Sequence, residues 1–238
     1  MKKIYMLKKG LNAGGAPIMW ERIIADVVPY FRNLIKKDSK ILEIGYGDGI
    51  LSCWISTEFD VYITGYEINE KCQCEAIRNA KEFRMGDRIN FEVCSPKRIL
   101  QKSGQYDAVF IKTVLYNSKC LKEYGKWLDW INSILKPGGV FVNFETGRGK
   151  YLTQIYRKLR KRPYANLSLY TSDVEKLYDD RFKIITRHYY GGISQFLTPI
   201  TALYRVAHKI ENRFTFRDAN NCFIVSIIAR RTKKMINE

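Results

Sequence analysis

The stretch ILEIGYGDGILS, Ile41 to Ser52, sets Gly45, Gly47 and Gly49 within five positions, directly behind an apolar run that carries one carboxylate, Glu43. Glycine has no Cβ, so such a turn reaches positive φ and lets a ligand lie against bare backbone. If a helix starts there, its first N–H groups also face the ligand. A second carboxylate, Glu67, follows 22 positions after Gly45 at the end of another apolar run, the distance at which a carboxylate can accept both hydroxyls of a ribose. The chemistry expected is nucleoside recognition. A dinucleotide site would read G-x-G-x-x-G, whereas the third glycine here comes only two positions after the second, and Glu43 sits inside the strand; both features count against NAD.

Those residues need a scaffold that brings strand ends together. Strand-like runs fall at 39–45, 61–67, 88–93, 106–112, 139–145, 182–190 and 221–231, and helical periodicity at 17–36, 48–58, 69–84, 96–102, 119–135, 149–161 and 172–178. Strands alternating with crossover helices imply a parallel sheet covered on both faces. The length suits one α/β domain over 1–238, with an N-terminal helical cap at 1–37 and two basic substrate-side insertions at 146–180 and 191–220.

The motifs ILEIGYGDG, GYEIN, YDAVFIKTVLYN and LKPGGVFVNFE, in that order between residues 39 and 145, resemble class I S-adenosylmethionine-dependent methyltransferases. The resemblance implies a doubly wound, mostly parallel seven-stranded sheet of order 3-2-1-4-5-7-6, with strand 7 antiparallel. It implies S-adenosylmethionine as cofactor and S-adenosylhomocysteine as product. Glu43, Gly45, Tyr46, Gly47 and Gly49 would surround the methionine part, Glu67 would bind the ribose and Ile68 would pack on the adenine. Phe110 to Thr113, with Lys112 among them, would floor the site below the donor methyl. After the third strand, relatives often place a small residue and an Asp or Asn against the adenine; here Val93-Cys94-Ser95 stands instead, leaving Cys94 and Ser95 as the adenine contacts. Carboxylates near the turn suit a cofactor that carries an ammonium and a sulfonium.

Methyl transfer from a sulfonium is a direct displacement that mainly needs alignment and, for some acceptors, removal of a proton. The Asn/Asp-Pro-Pro-aromatic signature of N6-adenine chemistry is absent after strand four, which reads Lys112-Thr113-Val114-Leu115-Tyr116-Asn117, and no Pro-Cys pair marks a cytosine C5 nucleophile. Candidate bases are Glu145, His188, Tyr116 and His208. No metal is expected, because Cys72 and Cys74 lack a second ligand pair at matching spacing and read as helix positions, one of them buried. The six cysteines read as reduced thiols.

The charge is +17 and unevenly spread: residues 1–147 hold 22 basic and 17 acidic side chains, residues 148–238 hold 19 and 7. Within GKYLTQIYRKLRKRPY, apolar residues recur at helical spacing and cations crowd the end; such a helix can dock on its own sheet, meet phosphates or meet an anionic membrane. FLTPITALYRVAHKI reads as an acceptor-pocket lining or lid. The expected partner is a small-molecule, glycan or lipid-linked acceptor methylated on O or N, with peripheral membrane contact open. The alternative is RNA, which the charge favours but no appended RNA-binding module or base-reading motif supports. A third reading is a cofactor-binding scaffold. With only a four-residue apolar patch before Lys8 and no run long enough to span a bilayer, the chain is expected in the cytoplasm.

Overall fold

The computed structural model describes residues 17–101, 105–147, 152–159, 169–191, 201–214, 218–219 and 222–232. Its seven strands are β1 Lys40–Ile44, β2 Tyr62–Glu67, β3 Ile89–Val93, β4 Tyr106–Lys112, β5 Leu135–Thr146, β6 Phe182–Tyr190 and β7 Ile224–Arg231. They form one sheet of order β3-β2-β1-β4-β5-β7-β6. β1 to β5 pair parallel, and β7 runs antiparallel to both β5 and β6. β6 therefore points the same way as β5, so six carboxyl ends share one edge.

The helices are α1 Pro17–Leu34, α2 Ile50–Phe59, α3 Glu70–Glu82, α4 Pro96–Ile99, α5 Leu121–Ile134, α6 Leu152–Leu159, α7 Thr171–Asp179 and α8 Thr201–Phe214. One core packs Ile23, Val27 and Phe31 of α1 and Ile50, Cys53 and Ile55 of α2 on Ile41, Phe110 and Val142. The other packs Tyr124, Leu128 and Ile131 of α5 and Tyr178 of α7 on Leu42, Val109 and Phe141. Central strands buried on both faces are why Ile41 to Ile44, Glu43 apart, and Ala108 to Ile111 read as continuous apolar runs rather than alternations.

The expected fold and strand order are those observed. Beyond end shifts of up to three residues, two elements differ. β5 begins at Leu135 rather than at 139, because Leu135 pairs with Tyr106 before the ladder shifts register and resumes at Val140 opposite Ala108. Residues 201–214, expected only as an apolar stretch, form a full helix, α8, whose period is Leu203, Val206 and Ile210 at intervals of three and four. The Pro29 ring interrupts α1 without ending it. Cys72 is half-buried and Cys74 exposed, so neither is the buried member expected of that pair. Among the described residues no helix is long and apolar enough to cross a membrane.

Candidate functional site at the carboxyl edge

Each of the three glycines answers a different constraint. All have positive φ, where L side chains are strained. A Cβ on Gly45 would stand 2.3 Å from Val114 Cγ2, so this glycine admits the chain that follows β4. A Cβ on Gly49, the residue before α2, would strike Phe91 and Ala76 at 2.7 and 2.8 Å, so this one closes the packing of α2 on β3 and α3. A Cβ on Gly47 would meet nothing within 4 Å. Only Gly47 keeps space open for something other than protein.

That space is a cavity of about 370 Å³, lined among others by Ile44, Gly45, Gly47, Tyr66, Glu67, Ile68, Pro96, Ile99, Lys112, Thr113 and Val114. On one wall Glu67 ends β2. Its Oε1 accepts the N–H groups of Ile68 at 2.7 Å and Asn69 at 3.1 Å, and its Oε2 accepts that of Gly47 at 3.2 Å. The carboxylate thus ties the glycine turn to the end of the next strand. Asn79, buried on α3, secures the same turn by donating to the Asp48 carbonyl at 2.8 Å. Ile68 lines the mouth and is 62% exposed.

Glu43 lies beneath this cavity rather than in its lining. It is 1% exposed and accepts a hydrogen bond from the Ser52 hydroxyl. Loss of water pushes its carboxyl up to about 8, against the opposing pull of the Ser52 bond and of the Lys112 charge. Burial lowers the Lys112 ammonium in turn, while Glu43 pulls it back up. Tyr46 turns its ring into the core against Phe91, centroids 4.5 Å apart, and Phe110 packs on Phe31. Cys94 is buried, and Ser95 is an exposed N-cap whose hydroxyl accepts from Arg98 N–H at 3.4 Å.

The far wall is built by the chain after β4. Thr113 takes φ 53°, a left-handed conformation that costs a β-branched residue roughly 1–2 kcal/mol. Its N–H bonds the Phe144 carbonyl at 2.7 Å, which recovers about 1 kcal/mol, and a 3-10 turn, Leu115–Asn117, follows. Glu145 near the end of β5 faces that turn: its Oε1 accepts Thr146 N–H at 3.0 Å, and the amides of Val114, Leu115 and Tyr116 face the carboxyl and draw its pKa down. Burial outweighs them and leaves it at about 8. Among the described residues its Oε2 has no hydrogen-bond partner. Behind the turn a second cavity of about 30 Å³ is lined by Tyr116, Asn143, Glu145 and Glu175, next to the buried set in which Asn143 donates to Tyr178 at 2.7 Å and Tyr124 meets Tyr178 at 3.0 Å.

The candidate bases do not all converge. Tyr116 and Glu145 share the small cavity. His188 sits on the opposite face of the sheet, 3.0 Å from the Thr186 hydroxyl and edge-on to Tyr30 of α1. His208 falls on α8, with its side chain outside the described residues. Sequence reading missed Asn117, Ser118, Glu123 and Trp127, which also line the large cavity. Glu123 and Trp127 are four apart on α5, one helical face, and that spacing was their available signal.

A family model described as a methyltransferase domain matches residues 19–209. The chain belongs to the methyltransferase domain family. Its fold is also that of the N-methyltransferase NodS from Bradyrhizobium japonicum WM9, solved with S-adenosylhomocysteine, at TM-score 0.61 and 14% identity over 97% of this chain and 99% of that one. Geranyl diphosphate C-methyltransferase from Streptomyces coelicolor A3(2) superposes at TM-score 0.63 with 17% identity, covering 90% and 81%. A SAM-dependent methyltransferase from Methanosarcina mazei gives 0.62 and 17%, covering 87% and 98%. No curated protein matches the sequence. The chain is a methyltransferase, and the methyl donor of its family is S-adenosylmethionine.

Proposed function

We propose that this methyltransferase binds S-adenosylmethionine in the large cavity and transfers its methyl group to an oxygen or nitrogen of a small-molecule, glycan or lipid-linked acceptor approaching over the ends of β4 and β5. The observation that carries the reading is Gly47: its missing Cβ faces open cavity, while three backbone N–H groups hold the Glu67 carboxylate beside it. That carboxylate is placed to accept a ribose diol, and exposed Ile68 offers an apolar surface to the adenine. Glu43, buried below Gly45, favours a cationic methionine group above it, since an added positive charge shifts a carboxyl of pKa about 8 toward ionisation.

When bound, the cofactor supplies an electrophilic methyl, and the residues here have only to align and to exclude water. Lys112, Thr113 and Val114 floor the cavity where β4 ends. Strain at Thr113 fits that role, because left-handed backbone persists where several contacts fix it. Of the groups considered for proton removal, Tyr116 lines the small cavity behind the 3-10 turn with Glu145. Glu145 is a positioning residue that holds this turn, and His188 lies on the other face of the sheet.

Calorimetric titration with S-adenosylmethionine and S-adenosylhomocysteine, with NAD as control, tests the reading. Micromolar binding of the first two alone is expected, and Glu67→Ala weakens it roughly 10- to 100-fold, the effect of losing charged hydrogen bonds. Wild-type affinity in Glu67→Ala would overturn the assignment of this cavity.

A further inference from the structure

The two insertions present a surface that methyl transfer itself does not need. On α6, Ile155 and Leu159, four apart, are 52% and 72% exposed, and Lys158 is exposed between them. On α8, Leu203, Val206 and Ile210 are 48–57% exposed, and so are Arg205 and Lys209. At 3.6 residues per turn the exposed arc of α8 reads, in order around the helix, Arg205, Lys209, Val206, Ile210, Leu203. Cations therefore border an aliphatic stripe on one solvent-facing half. Five large aliphatics left in water at this density mark an interaction surface.

Topology puts both helices at one end. α6 follows β5 and α8 follows β6, strands that point the same way, so both leave from the carboxyl edge on which the cofactor cavity opens. This part of the sequence also carries the charge, 19 basic against 7 acidic side chains in residues 148–238.

We propose that α6 and α8 dock the protein on an anionic lipid surface, with the aliphatic stripes entering the headgroup boundary and the flanking lysines and arginines meeting lipid phosphates. Interfacial helices combine these two features: apolar area inserts, and cations are drawn to the phosphates of an anionic leaflet. RNA is the poorer occupant, because nucleic acid stacks on aromatic rings and would leave the aliphatics in water. A second copy is poorer too, since it would press two positive surfaces together. Resting on the methyltransferase reading, the same placement makes the acceptor an amphipathic or lipid-linked molecule taken from that surface.

The test is co-sedimentation of the full chain with vesicles of phosphatidylcholine alone and of phosphatidylcholine mixed with phosphatidylglycerol, without cofactor. Binding to the mixed vesicles is expected, falling as salt is raised. The Leu203→Ser/Val206→Ser/Ile210→Ser variant, changed only on the exposed face, should bind them at least about tenfold more weakly while its affinity for S-adenosylmethionine is unchanged. Arg205→Gln/Lys209→Gln should bind more weakly and with a shallower salt dependence. Equal partition to both vesicle types, or wild-type binding by the triple serine variant, would overturn the proposal. So would RNA binding that the serine variant retains in place of vesicle binding, or a dimer in solution that the serine variant dissolves. Vesicle binding without cofactor binding would leave the docking standing and remove the methyltransferase site, so the two readings fail separately.

Discussion

Glu43 on β1 and Glu145 on β5 are both buried and both pushed up to about 8 by loss of water, yet different groups answer them. Glu43 faces a hydroxyl and the charge of Lys112, under a cavity with room for a cation. Glu145 faces backbone amides that belong to the turn it holds. A carboxyl met by a mobile positive charge can exchange its proton when a ligand arrives, whereas one met by fixed dipoles is a structural clamp. The two are mechanically linked all the same. The Val114 amide faces the Glu145 carboxyl, and Val114 Cγ2 stands where a Cβ on Gly45 would be, so the end of β5 and the glycine turn meet through one residue.

The largest effect should come from the open side of the comparison. Gly47→Leu puts a branched side chain into the cavity at φ 53° and adds roughly 1–2 kcal/mol of backbone strain. Cofactor binding should fall at least about 100-fold, while circular dichroism still reports a folded chain. Near-normal affinity would mean the cavity is not the cofactor site.

Next come the clamp and the exchanger. Glu145→Ala removes the acceptor of the Thr146 amide and the carboxyl facing the turn, and should cost about 1–3 kcal/mol, seen as a lower melting temperature. Glu145→Gln keeps the shape in neutral form and should restore it, together with turnover. Glu43→Gln has the same neutral shape but cannot ionise, so it should leave stability below pH 4.5 near wild type, flatten its decline at higher pH and weaken S-adenosylmethionine roughly tenfold. Equal behaviour of the two glutamine variants would dissolve the distinction.

The last effect is on pH. A carboxyl raised from 4.5 to about 8 binds its proton more tightly in the folded than in the unfolded chain, so its contribution to stability is complete below 4.5 and is lost as pH rises through about 8. Thermal melts should show stability declining across that window. Ligand binding has the opposite slope: a cation above Glu43 favours its ionised form, so affinity rises toward pH 8 and up to one proton is released. Calorimetry in buffers of different ionisation enthalpy measures that proton, and Glu43→Gln should remove the release.

The sequence carried the sheet and the glycine turn because both depend on local pattern. Apolar runs such as Ala108 to Ile111 announce buried parallel strands, and the glycines announce a turn. Glu67 could be placed because its distance along the chain from Gly45 reflects one strand–helix–strand unit. The spacing could not say that the three glycines serve three purposes, since Val114, Phe91 and Ala76 reach them from other elements. Nor could it show that Glu145 and Tyr116 meet while His188 turns to the opposite face, which depends on strand order and on the register shift between Ile184 and Thr186. α8 is legible as a period of three and four, which the apolar stretch around it hides by resembling a pocket lining.

Trp127 lines the large cavity and stands edge-on to Trp130, ring centroids 5.9 Å apart, whereas Trp54 packs against Phe59 in the other core. The protein thereby carries its own optical probe. A nucleoside settling into the cavity alters the surroundings of Trp127 and leaves Trp54 in place, so a change in indole emission that disappears in Trp127→Phe would report cavity occupancy in real time, without a label.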